Sequence, residues 1–210
     1  MRTACVVLVF ARAPAPGRAK TRLEPRLGAW RAARLQARLT ARSLETARHA
    51  RCGPVELHYR PARAHAFFRF CGNKFCVALE PQRGTDLGER MHGALARALR
   101  RHRSAILIGS DCPELGPGDL RRAARLLQGS CDVVLAPAED GGYALIAARR
   151  VSRALFQGVR WGGPDVYRDT VRRLDEKGLR WRTLRTVWDV DRPEDVERLS
   201  ARLVRRRGGR

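Results

Sequence analysis

The run Thr3-Ala-Cys-Val-Val-Leu-Val-Phe-Ala11 and the loop behind it, Arg12-Ala-Pro-Ala-Pro-Gly-Arg-Ala-Lys-Thr-Arg-Leu23, constrain the fold most strongly. An apolar, β-branched run without alternation reads as a strand buried on both faces, the pattern of a parallel sheet covered by helices on either side. The Pro/Gly loop leaves the carboxyl end of that strand, the edge where open α/β sheets bind ligands. It carries Arg12, Arg18, Lys20 and Arg22 and no carboxylate. Lys supplies a point charge, Arg a bidentate fork and the backbone further N–H donors, so the loop suits a polyphosphate. A solvated basic loop has the same composition, and only the remaining chain separates the two.

Strand-like and helix-like segments alternate along that chain with short connections. Helices are expected over 27–50, 61–70, 86–102, 117–128, 163–177 and 193–203, the third opened by the capping-box-like Asp86-x-x-Glu89. Strands are expected over 55–59, 75–79, 105–109, 131–136, 142–148 and 180–187. This alternation predicts an α/β fold: three layers around a mixed, mostly parallel sheet with right-handed crossovers. No internal repeat or linker divides it. Residues 1–203 are expected to form a single domain, followed by a basic disordered tail at 204–210.

At 210 residues the chain can bury a continuous core without disulfide or structural metal. Its six cysteines, Cys5, Cys52, Cys71, Cys76, Cys112 and Cys131, form no C-x-x-C pair and are expected as reduced thiols. No apolar run approaches a membrane span and no signal-peptide pattern opens the chain, so a cytoplasmic protein is expected. The net charge of +22 raises nucleic acid as a partner. Only Lys20, Lys74 and Lys177 are lysines, however, and the excess Arg is dispersed without the aromatic interleaving of a nucleic-acid module. No specific nucleic-acid partner is expected.

Four further segments leave strand ends: 82–91, 109–115, 137–143 and 188–195. They bring Asp111, Asp140, Asp189 and Asp191 toward the edge that carries Lys20. Each aspartate also suits a bland role: Asp111 shapes a turn before Cys-Pro, Asp140 an Asx turn before Gly-Gly, and Asp191 caps the last helix. Four beside one basic loop suit Mg²⁺ or Mn²⁺, which takes one or two carboxylates together with substrate phosphates.

The ordered set 14–23, Arg83-Gly-Thr-Asp-Leu-Gly-Glu-Arg-Met91, Gly109-Ser-Asp-Cys-Pro-Glu-Leu115, Pro137-Ala-Glu-Asp-Gly-Gly-Tyr-Ala-Leu-Ile146, Trp161-Gly-Gly-Pro-Asp-Val166 and Asp189-Val-Asp-Arg-Pro-Glu-Asp195 resembles the bacterial selenodomain-associated transferase 1 family. That family is related to A-type glycosyltransferases and, more distantly, to MobA-like and phospholactate guanylyltransferases. The resemblance implies a nucleotide-diphospho-sugar transferase fold, with nucleotide over the amino-terminal half and acceptor over the carboxyl-terminal half. It implies that Lys20 and Arg22 hold donor phosphates, that Gly17 lets backbone amides approach, and that Arg12 contacts phosphate. Gly84 and Asp86 fall in the loop bordering the base or ribose. Asp111 takes the place of the metal and ribose aspartate, and Asp189 or Asp191 that of the second metal carboxylate. Asp140, Gly141, Gly142 and Tyr143 shape the acceptor pocket, where Trp161 can stack on a sugar. The Gly-x-Gly start of the related nucleotidyltransferases is here Ala11-Arg-Ala-Pro14.

The expectation is a metal-dependent transferase taking a nucleotide-activated donor, preferably a nucleotide sugar, with Asp111 and Asp140 as its catalytic carboxylates. No single general base stands out: Asp140 and Glu139 are candidates, and His92 is expected on the outer face of its helix. One alternative is a nucleotidyltransferase that joins an NTP to a phosphorylated acceptor held by Arg149, Arg150 or Arg160. Another is a non-catalytic nucleotide- or nucleic-acid-binding protein.

Overall fold

A computed structural model describes residues 3–61 and 65–199 of the protein; the expected tail at 204–210 and the last residues of the closing helix lie outside them. In chain order the elements are β1 (Thr3–Arg12), α1 (Glu24–Leu27), α2 (Ala29–Ala50), β2 (Val55–Arg60), α3 (Ala66–Phe75), β3 (Ala78–Pro81), α4 (Leu87–Arg101), β4 (His102–Gly109), α5 (Pro117–Gln128), β5 (Val133–Pro137), β6 (Tyr143–Ala148), α6 (Val166–Glu176) and β7 (Trp181–Thr183). A last helix, α7, covers 193–199. The seven strands form one sheet in the order β3-β2-β1-β4-β6-β5-β7. All neighbours are parallel except β6, which runs antiparallel between β4 and β5. The carboxyl ends of β1, β2, β4 and β5 therefore open on one edge.

The sheet is buried on both faces, as the apolar run of β1 requires. Val7 and Val9 pack with Leu44 of α2, Phe68 of α3 and Leu120 of α5. Val6 and Leu8 point the other way, to Leu95 of α4 and Leu174 of α6, following the two-residue period of a strand. A third, smaller cluster joins Leu23, Ala32 and Leu39 to Trp188 and Val190. It locks the phosphate-loop candidate onto the segment that carries Asp189 and Asp191.

Two expected elements are displaced. The helix expected at 61–70 forms at Ala66–Phe75, and the following strand at Ala78–Pro81. Gly72 lies inside that helix where a Cβ would stand 3.2 Å from Leu79, and Cys76, in the left-handed conformation (φ 51°), ends it. Gly72-Asn73 therefore permits close packing rather than a turn. The strand expected at 180–187 contracts to Trp181–Thr183. Leu184 and Val187 still donate to β5 carbonyls, but the chain bulges between them, where Arg185 bonds Asp119 and the Glu114 carbonyl. No helix among the described residues is long and apolar enough to cross a membrane.

Candidate functional site

Two cavities meet on the carboxyl edge, sharing Leu87, Gly109 and Asp111. The first, of about 550 Å³, is walled by Arg12, Lys20, Arg22, Arg60 and Arg90. Arg12 and Arg60 are register partners at the ends of β1 and β2, so two guanidiniums project side by side with no carboxylate bonded to either among the described residues. Arg90 reaches in from α4; burial and the nearby Arg60 and Arg12 charges hold its guanidinium below its ordinary value. Its Nε is buried without a hydrogen-bond partner. Three cations crowded in this way form a cleft made for an anion.

Lys20 is more unusual. The residue sits in the left-handed region (φ 55°, ψ 41°), which costs a non-glycine residue of order 1–2 kcal/mol, and its side chain is only 4% exposed. Its Nζ stands 3.1 Å from Asp111 Oδ1 and 3.9 Å from Asp191 Oδ1. Of the two readings of the basic loop, a solvated lysine does not fit this burial; Lys20 is turned inward to the carboxylates. Asp191 also accepts from Arg22 at 2.5 Å.

Asp111 is positioned from behind. Gln36, buried on α2, donates to Ser110 Oγ at 3.0 Å, and Ser110 donates to Asp111 Oδ1 at 3.4 Å. Val190 N–H donates to the Asp111 carbonyl, laying the 189–191 segment alongside. Gln36, Ser110, Arg60, Arg90 and Gln82, whose amide bonds the Ala11 and His58 carbonyls, were not singled out from the sequence. For Gln36 the signal was there: it shares the helical face of Ala32, Ala33, Leu39 and Thr40.

The second cavity, of about 240 Å³, is lined by Asp111, Asp140 and Asp189 together with Met91, Cys112, Tyr143, Ala144, Trp161 and Val166. Burial, together with the Asp140 and Asp111 carboxylates, pushes the Asp189 carboxyl up to about 6, although Lys20 opposes this. Asp140 accepts from Gly142 N–H at 2.9 Å in the β5–β6 hairpin. Gly141 (φ 88°) approaches Pro164 so closely that a Cβ would stand 1.9 Å from its carbonyl oxygen, and its own carbonyl accepts from Tyr167 N–H. The hairpin and the 161–166 loop are thereby fastened together.

The remaining expected residues fall elsewhere. Asp86 caps α4 by accepting from Glu89 N–H at 2.7 Å, and neither it nor Gly84 or Gly17 lines either of these two cavities. Glu139 is held below its ordinary value by a two-pronged pair with Arg198, at 2.6 and 2.9 Å. Arg149 pairs with Asp132 beyond the far end of β6, on the opposite sheet edge. His92, expected outermost, is half-buried against Phe156 (ring centroids 6.0 Å), because an unexpected turn at Arg153–Leu155 packs over α4.

Among the described residues no three His, Cys, Asp or Glu side chains form a ready metal cage. The donor set nevertheless fits a hard cation carried by phosphate: Asp111 and Asp189 offer oxygens crowded with like charge, and Mg²⁺ or Mn²⁺ needs only one or two carboxylates besides substrate and water.

The strand order, the single antiparallel strand and two cavities joined at Asp111 define the nucleotide-diphospho-sugar transferase type of α/β fold. Within it, the chain belongs to the family described as an uncharacterized protein conserved in bacteria, DUF2064, which matches residues 43–163. A provisionally designated nucleotide-diphospho-sugar transferase from Desulfovibrio desulfuricans is 32% identical and superposes with a TM-score of 0.82 over 90% of this chain and 83% of that one. A CMP:2-keto-3-deoxy-manno-octonic acid synthetase complexed with CTP shares the fold at 12% identity (TM-score 0.60; 97% and 100% covered). So does Rv0371c from Mycobacterium tuberculosis in complex with manganese, at 22% identity (TM-score 0.55; 95% and 98% covered). No curated protein matches the sequence.

Proposed function

We propose that the protein is a transferase that takes a nucleotide-activated donor, a nucleotide sugar in the first instance, and passes its sugar to an acceptor in the Asp140 pocket. The observation that carries this reading is the junction at Asp111: a cleft walled by five cationic side chains opens there onto a separate pocket with three carboxylates. The 32% identical relative bears a nucleotide-diphospho-sugar transferase designation. Arg12, Arg22, Arg60 and Arg90 bind and orient the donor phosphates and stabilise the charge that grows on the leaving diphosphate. Lys20 moves between the carboxylates and that diphosphate, a short shift for a flexible ammonium. Asp111 and Asp189 would hold a Mg²⁺ or Mn²⁺ that serves as Lewis acid toward the leaving group. Asp140, on the acceptor side, takes the proton from the attacking hydroxyl.

Nucleotidyl transfer is the second reading, favoured by the number of cations, which suits a triphosphate. The experiment is a turnover assay with Mn²⁺ and both donor classes: nucleoside diphosphate released from a nucleotide sugar supports the proposal. Pyrophosphate released from an NTP, with no nucleotide sugar consumed, replaces it by the second reading.

A further inference from the structure

From the lining of the second cavity we infer that the acceptor carries neither phosphate nor carboxylate: it is an uncharged or cationic small molecule that presents a hydroxyl or amine and packs an apolar face. This rests on the transferase reading for the word acceptor, but the charge selectivity is a property of the pocket itself. No Lys, Arg or His lines the pocket among the described residues, in a chain with 43 Lys and Arg. The cations that could have served an anionic acceptor are engaged or displaced. Lys20 faces Asp111 from the donor cleft, and Arg149 is tied to Asp132 at the opposite sheet edge. Arg198 is tied to Glu139, while Arg160 is exposed and lines neither cavity.

Asp111, Asp140 and Asp189 line the pocket. Lys20 offsets Asp111, but among the described residues neither Asp140 nor Asp189 has an ion-pair partner. A cation held by Asp111 and Asp189 would arrive with the negative donor phosphates beside it. Field lines from like charges lining an otherwise apolar cavity are focused, so an anion is repelled and meets no cationic partner inside. The walls offer Met91, Tyr143, Trp161 and Val166 to an apolar face. At about 240 Å³ the pocket lies below the roughly 300–1,000 Å³ of drug-sized sites, which sets the scale of the group it encloses.

The test reads the pocket's field without knowing the acceptor. In a Cys76→Ser, Cys112→Ala background, which removes the exposed thiol and the one already lining the pocket, Ala144→Cys places a single thiol in the lining, with Val166→Cys as a second position should the first not fold. Each is treated with the cationic trimethylammonium-ethyl and the anionic sulfonato-ethyl methanethiosulfonate. Both form a mixed disulfide and expel methanesulfinate, and each rate is divided by that of a free thiol and corrected for the parent protein. The cationic reagent is expected to react at least about tenfold faster, and Asp140→Asn to shrink the ratio. A ratio near one, or an inverted one, overturns the inference. Acceptors are then offered to wild type as pairs differing only by a phosphate, with nucleoside diphosphate release as readout. Turnover with the phosphorylated member equal to or above its partner also overturns it. Failure of every nucleotide to bind leaves the reagent ratio unchanged and removes the transferase reading instead.

Discussion

Lys20 Nζ lies 3.1 Å from Asp111 Oδ1, so a cation of the donor cleft offsets the one carboxylate that the two cavities share. The pairing makes Lys20 structural as well as ligand-binding.

Lys20→Ala accordingly acts twice. It removes a charge-assisted contact to phosphate, lowering nucleotide affinity by about ten- to a hundredfold. It also leaves the half-exposed Asp111 carboxylate without its ion-pair partner, while Asp191 keeps Arg22, costing about 1 kcal/mol after solvent screening and a few degrees of Tm. Mn²⁺ should restore part of that Tm in the variant and change wild type less. Calorimetric titration with a nucleoside diphosphate and thermal scans with and without Mn²⁺ check both halves; an unchanged Tm would reduce Lys20 to a binding residue only.

Asp111→Asn is expected to abolish Mn²⁺-dependent nucleotide binding, since the amide keeps the Ser110 hydrogen bond but offers the cation no charge. Asp191 keeps Arg22 as its partner and should matter less: Asp191→Asn weakens binding severalfold without eliminating it. Metal-independent nucleotide binding by wild type would sink the assignment of the carboxylates to a cation.

How far the sequence foretold this site depends on how local each signal was. The buried run of β1, the basic loop and the four aspartates at strand ends are legible because strand period and chain order alone bring them to one edge. The partners of those residues are not. Arg60 faces Arg12 only through the β1–β2 register, and Arg90 enters from a helix whose exposed and inward arginines look alike in sequence. Asp86 illustrates the local case: its capping pattern was visible, and Oδ1 accepts from Glu89 N–H as that pattern predicts. The opposite fates of Glu139 and Asp140 instead turn on Arg198, 59 positions away from Glu139. Tertiary partners decide such roles, and no local spacing encodes them.

Gly141→Ala tests the fastening of the acceptor pocket. A Cβ at that position meets Pro164 backbone at 1.9 Å and must also accept φ 88°, so neither strain can relax by a side-chain rotation. The variant should lose about 2–4 kcal/mol of stability or displace the 161–166 loop. Acceptor-dependent turnover should then fall far more than nucleotide affinity, because Gly141 lies on the acceptor side of Asp111. Equal losses in both would show that the two cavities do not work independently.

Asp189 sets the pH response. Its carboxyl is raised from the ordinary 3.8 to about 6, chiefly by burial and then by Asp140. The raised value means that the folded state prefers the protonated form. Below the unfolded value both states carry the proton and the group contributes nothing. As pH rises from there through about 6 the folded state is progressively penalised, by an amount on the order of 1–2 kcal/mol once partial solvation is allowed for. Asp189→Asn should therefore raise the apo Tm by a few degrees at pH 7.5 and leave it nearly unchanged at pH 4. Mn²⁺ competes with the same proton, so its affinity in wild type should climb with pH up to about 6 and then level off, a slope that Asp189→Asn flattens. Thermal scans at the two pH values and Mn²⁺ titrations across them provide the measurement. An equal Tm shift at both, with an unaltered pH profile of Mn²⁺ binding, would place the titrating group elsewhere than Asp189.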